Sequence, residues 1–83
     1  RVDYRPVNLA ALELLAQDTT FFPNQAETAV ITKDILVAAG LASRNDLVKI
    51  LAQGELTRPI QVEADAYSAR AKELIEAQGG SIQ

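Results

Sequence analysis

Ile60-Gln61-Val62-Glu63-Ala64-Asp65-Ala66-Tyr67-Ser68 runs directly into Ala69-Arg70-Ala71-Lys72-Glu73-Leu74-Ile75-Glu76-Ala77-Gln78-Gly79-Gly80, and the change of period between the two stretches decides the fold class. In the first, Ile60, Val62 and Ala64 alternate with Gln61, Glu63 and Asp65, the period-two pattern of a half-buried strand. Pro59 stands at its start, where a missing N–H does little harm. In the second, Ala71, Leu74, Ile75 and Gln78 share one helical face. Ser68 is placed to cap that helix and Gly79-Gly80 to stop it. Ser81-Ile82 then opens another extended piece.

Upstream, Leu47–Leu51 is an apolar run broken only by Lys49, which suits a strand with little open face, and Gln53-Gly54-Glu55 turns the chain. Thr32 caps a short helix with Asp34 in its first turn, where the helix dipole favours an anion. Ile35, Leu36 and Ala39 form its buried stripe. Gly40 takes the left-handed position after it, with Leu41 as the hydrophobic partner. Ser43 to Asp46 is a polar turn. Asn8 caps a first helix carrying Leu9, Leu12, Leu15 and Ala16, which Gln17-Asp18 ends. Tyr4 to Val7 is partly extended, because Pro6 disfavours helix at Arg5. Thr19 to Ala29 reads as a loop, long for so small a domain. On the last helix, Lys72 and Glu76 are spaced to pair across a turn. The expectation is one small α/β domain with about three helices and three to four short strands.

Composition narrows the function. At 83 residues there is room for one core, and the hydrophobic share of 48% is enough to fill it. The only aromatics are Tyr4, Phe21, Phe22 and Tyr67, so that core is built of Leu, Ile, Val and Ala. No cysteine is present, hence no disulfide or thiolate metal site, and no histidine, the usual neutral-pH base and commonest metal ligand. Both absences discourage hydrolase and metalloenzyme readings. No run approaches the roughly 20 apolar residues that span a bilayer. Methionine is missing even at position one, so the chain reads as a piece of a longer product. The net charge of −3 argues against a free-standing nucleic-acid binder, whose affinity comes largely from phosphate neutralisation.

Val48-Lys49-Ile50-Leu51-Ala52-Gln53-Gly54-Glu55-Leu56-Thr57 resembles the apolar-Lys-apolar-Leu strand and Gly-x-Gly-Glu-Leu turn of the bacterial-type large-subunit ribosomal protein fifteen family. Val62-Glu63-Ala64-Asp65-Ala66-Tyr67-Ser68 and Ile75-Glu76-Ala77-Gln78-Gly79-Gly80 are similar to its next strand, helix cap and Ile-Glu-Ala-x-Gly-Gly helix end. Thr32 to Leu41 is similar to its short helix ending Ala-Gly-Leu, and Val7-Asn8-Leu9 to the opening of its globular domain. The likeness is weakest across Gln17–Val30. Three residues depart from the family pattern. Ala52 replaces the first glycine of the turn, Asp65 stands where histidine is usual, and Arg70 where a small residue is usual.

The resemblance implies an irregular strand-strand-helix superhelix. It implies that residues 1–83 are the C-terminal globular domain, with a basic, glycine-rich N-terminal extension lying outside them. That extension would carry the missing positive charge. The implied role is structural: supporting ribosomal RNA folding and subunit assembly through contacts with large-subunit ribosomal RNA and neighbouring ribosomal proteins. It implies no reaction, cofactor, metal, membrane or small-molecule substrate, and a place on the ribosome of the bacterial cytoplasm or of a plastid or mitochondrion. The alternative is a non-ribosomal protein-interaction module reusing the fold.

For RNA phosphates the candidates are Arg1, Arg5, Arg44, Lys49 and Arg58, as point charges or bidentate forks, each weighed against ordinary surface charge. Phe21-Phe22-Pro23 is either an apolar tip that docks on a neighbouring protein or a lid over the core. Ser68 and Lys72, four apart, have the spacing of a Ser–Lys nucleophile pair, but capping gives Ser68 an independent structural job. Gly79-Gly80 follows a helix and does not precede one, so it stops the helix and cradles no phosphate. Glu55, Glu63 and Asp65 lack any cation-loop spacing and read as a solvated face, with Glu63 and Asp65 on one side of a strand.

Overall fold

The two stretches with the clearest strand signals each become the middle strand of a three-stranded parallel sheet. In the computed structural model, which describes residues 3–83, the elements follow as β1 (Tyr4–Asn8), α1 (Leu9–Gln17), β2 (Ala29–Ile31), α2 (Lys33–Ala38), β3 (Leu47–Leu51), β4 (Ile60–Val62), β5 (Ala66–Tyr67), α3 (Ala69–Ala77) and β6 (Ser81–Ile82). Odd-numbered strands form one sheet in the order β1-β3-β5, and even-numbered strands the other, in the order β2-β4-β6. All pairings are parallel. The chain therefore coils, laying one strand on each sheet per turn. The expected strand-strand-helix superhelix is the architecture observed. Its six short strands exceed the three or four read from the pattern, because β2, β5 and β6 are too short to show a period.

Parallel strands need crossovers. Here α1, the segment 52–59 and α3 carry the chain from the first sheet to the second. The register sets Tyr4 beside Leu47 and Lys49 beside Ala66 in the first sheet, and Ala29 beside Ile60 in the second. The core between the elements is aliphatic, as expected. Leu9, Leu12, Ile31, Leu36, Val48, Ile50, Ile60, Val62 and Ile75 are all fully buried.

Helix ends follow the punctuation in the sequence. Thr32 accepts from the Ile35 N–H at 3.3 Å and Ser68 from the Ala71 N–H at 3.1 Å, each answering one orphan amide of its helix. The same C-terminal motif closes α2 and α3. Gly40 and Gly79 have φ of 77° and 83°. The N–H groups of Leu41 and Gly80 return to Leu36 O and Ile75 O at 2.9 and 3.0 Å, the longer of the two bonds that define a left-handed helix stop.

Asn8 departs from expectation. It occupies the cap position of α1, but its side chain makes no capping bond and its Oδ1 is buried without a partner. The Gln53 carbonyl takes the Ala10 N–H instead, at 2.9 Å, so the turn after β3 caps this helix. That turn depends on Gly54 alone. Its φ is 91°, and a Cβ there would lie 2.4 Å from Ala10 Cβ. Ala52, where the family has glycine, has no positive φ and packs against the core. Lys72 and Glu76 form no ion pair. Arg70 and Glu73 meet instead at 3.2 Å, one of several exposed pairings open to this helix at little energetic difference.

Candidate nucleic-acid interface

Arg5 and Lys49 reach the surface from neighbouring strands, because β1 and β3 are partners in the first sheet. Alternation along the two strands sends Val7, Val48 and Ile50 into the core and Tyr4, Pro6 and Leu47 outward, with Lys49 half-buried beside Pro6. The Lys49 ammonium lies over the Tyr4 ring, 5.9 Å from its centroid, within cation–π range. Arg5 Nη1 approaches Asp46 Oδ2 at 3.6 Å, and Lys33 donates to the Asp46 carbonyl. Asp46 also caps its own turn by accepting from the Ser43 N–H at 2.8 Å. Arg44 lies 3.5 Å from Asp34, both largely exposed. Arg5, Lys33 and Asp46 thus gather at the end of the first sheet where β3 begins. Arg1 lies outside the described residues.

Arg58 joins none of these. Its Nη1 donates to Gln25 Oε1 at 2.7 Å, and its Nε, buried and without a hydrogen bond, faces Glu13 Oε2 at 3.8 Å. Gln25 in turn donates to the Ala16 and Phe22 carbonyls at 3.0 and 2.7 Å. Arg58 therefore fastens the long loop after α1 to the segment before β4.

Glu13 is the residue that pattern reading misses. It is the one buried charged residue among those described, and it receives the Thr57 N–H at 2.9 Å, the Thr57 hydroxyl at 2.7 Å and the Gln17 amide. Burial pushes its carboxyl up. The Thr57 and Gln17 hydrogen bonds and the Arg58 charge outweigh burial and hold it below the ordinary 4.5. Tyr67 stands in the sequence only as one member of a small aromatic set. Its hydroxyl accepts from the Ala64 N–H at 2.9 Å and faces the Val62 and Gln83 carbonyls at 2.9 and 2.8 Å. It thereby links β5 of one sheet to the ends of β4 and β6 of the other. Burial raises this phenol above 10.0, against the lowering effect of those backbone bonds.

The carboxylates expected on a solvated face have structural partners. Asp65 Oδ2 accepts from the Val48 N–H at 2.7 Å while its own N–H donates to Val48 O at 3.0 Å, so it acts as a short strand partner for β3. Glu63 accepts from the Lys33 N–H at 3.3 Å. The two do not share a strand face, because β4 ends at Val62. Ser68 is the cap of α3. Phe21 and Phe22 are half-buried and pack against the core, and Phe21 also lines an apolar groove with Leu14, Leu15, Ala39 and Leu41. Among the described residues no cluster of acidic or metal-ligating side chains could hold an ion. No helix is long and apolar enough to cross a membrane.

The sequence pattern of the family described as ribosomal proteins 50S-L15, 50S-L18e and their 60S counterpart matches residues 6–83. This chain belongs to that ribosomal family. It is 44% identical over 82 residues to a large ribosomal subunit protein uL15 of Porphyromonas gingivalis, covering 99% of this chain and 51% of the relative. It is 42% identical over 83 residues to the uL15 of Micrococcus luteus, covering 100% and 49%, and 42% identical over 82 residues to that of Streptomyces avermitilis, covering 99% and 48%. All three relatives are bacterial. The chain spans about half the length of each. Membership bears out the resemblance carried by Val48–Thr57 and by the Ile75–Gly80 helix end. Lys49 and Arg58 fall inside the matched residues, and Tyr4 and Arg5 immediately before them.

Proposed function

We propose that this chain is the C-terminal globular domain of a bacterial large-subunit ribosomal protein, with a structural and non-enzymatic role in the subunit. The observation that supports it is the family match over residues 6–83, joined to relatives named as large-subunit proteins over nearly the whole chain. On this reading the domain holds ribosomal RNA and neighbouring ribosomal proteins in place in the bacterial cytoplasm. A basic extension in the other half of the protein supplies most of the phosphate-binding charge, which reconciles a domain of net charge −3 with an RNA partner.

Of the residues proposed to meet RNA, Arg5, Lys33, Arg44 and Lys49 have exposed or half-exposed cationic ends within reach of phosphates. Arg1 stays a candidate by sequence alone. Arg58 contributes mainly by fastening the loop after α1. Phe21 and the groove beside it form the proposed protein contact. No observation favours the interaction module outside the ribosome.

The test is sedimentation of the full-length protein with ribosomal particles. It should travel with the large subunit in low and moderate salt, and cells depleted of it should accumulate lighter large-subunit precursors. Full-length protein that remains at the top of the gradient would overturn the reading.

A further inference from the structure

We propose that the outer face of the first sheet, centred on the Tyr4 ring and the Lys49 ammonium above it, seats an unpaired nucleotide of ribosomal RNA. This rests on the ribosomal reading and goes beyond it by naming the surface and the type of RNA it takes. Tyr4 and Leu47 are direct partners in the register and stand side by side on the solvent side, 44% and 40% exposed. They are two of the four large hydrophobic side chains exposed among the described residues. An aromatic ring on a rigid sheet beside a cation is the arrangement on which single-stranded RNA bases stack, since every base offers a π-face.

The charges fit that occupant. Lys49 has no carboxylate partner in ion-pair range among the described residues. Its contact is the Tyr4 ring, so the ammonium is positioned yet free to meet a phosphate. Arg5 flanks the same strand pair with its side chain 48% exposed. The nearby acids Asp46 and Asp65 are directed at the Ser43 and Val48 amides, and Asp3 precedes Tyr4 in the chain. A duplex suits the surface poorly, because its stacked bases offer no face to the ring. A neighbouring protein would cover Tyr4 and Leu47 equally well but would leave Lys49 without an anion.

The experiment is ultraviolet cross-linking of large subunits assembled with full-length protein, with the peptide containing Tyr4 analysed by mass spectrometry. The expected result is a nucleotide adduct on that peptide. The adduct should be retained in Y4F, which keeps the ring, and lost in Y4A and in K49E. Circular dichroism checks that each variant is folded. An unmodified Tyr4 peptide in particles that do contain the protein overturns the seat and leaves the ribosomal reading standing. So does a cross-link from Tyr4 to another protein, or an adduct that survives Y4A on a neighbouring residue. Failure of the wild-type protein to enter particles overturns both.

Discussion

A carboxylate on the apolar stripe of a helix is unfavourable when it lacks donors, since burial penalises its charged form. Glu13 escapes that penalty because the Thr57 N–H and hydroxyl and the Gln17 amide all point at it. Replacing it by Gln turns an acceptor into a partial donor facing Thr57. E13Q should lower stability by roughly 1–3 kcal/mol, the range for losing hydrogen bonds to a buried charged group, as measured by urea unfolding. The pH dependence has a definite sign. The folded-state carboxyl lies below the ordinary 4.5, so its stabilisation is fully present above that value and fades as pH falls through the folded-state value. The acid limb of the stability curve should accordingly be shallower in E13Q than in wild type. Tyr67 offers a second residue-scale test. In Y4F it is the sole tyrosine, and its ultraviolet titration in the folded protein should have a midpoint above 10.0.

Both residues are visible in the sequence only by position. Glu13 follows Leu12 and precedes Ala16 by three residues, on the buried face of α1. A charge in that place is a signal, but the signal does not name its partner. Thr57 lies 44 residues away. The roles of the arginines are hidden for the same reason: the sequence displays each charge, while the fold selects which acid it meets. Arg58, adjacent to Thr57, reaches Glu13 through the contact that makes Glu13 tolerable.

At the scale of elements, periodicity locates what is long enough to have a period. All three helices, β3 and β4 are legible, together with the caps Thr32 and Ser68 and the stops Gly40 and Gly79. The three-residue β2 and two-residue β5 and β6 are not, because they exist through pairing with a neighbour and not through a face of their own. One glycine shows how close that pairing is. A Cβ on Gly80 would lie 2.1 Å from the Ile60 carbonyl oxygen, a backbone atom that cannot swing aside. G80A should therefore force β6 away from β4, with a loss of about 2–4 kcal/mol typical of severe local strain. The amide of Gln83, which donates to Val62 O at 3.0 Å, should lose its protection from hydrogen exchange. A drop below about 0.5 kcal/mol, the scale of neutral surface changes, would contradict the geometry.

Across the whole molecule, the middle turn of the coil is central to both sheets. β3 lies between β1 and β5, and β4 between β2 and β6. Opening it requires both flanking turns to leave, so the slowest-exchanging amides should belong to Val48–Leu51 and Ile60–Val62, with β1 and β6 faster. Native-state hydrogen exchange would show this as a protection maximum at the centre of the chain, falling toward each end.

The long connection from Asp18 to Thr28 belongs to neither ladder. It is fastened by Gln25 to Ala16 and Phe22 and by Arg58 from the far side, while β2 takes its place from β4. Residues could be gained or shed there across generations without any strand losing its neighbour. Of all the crossings in this coil, it is the one where descendants have latitude to differ.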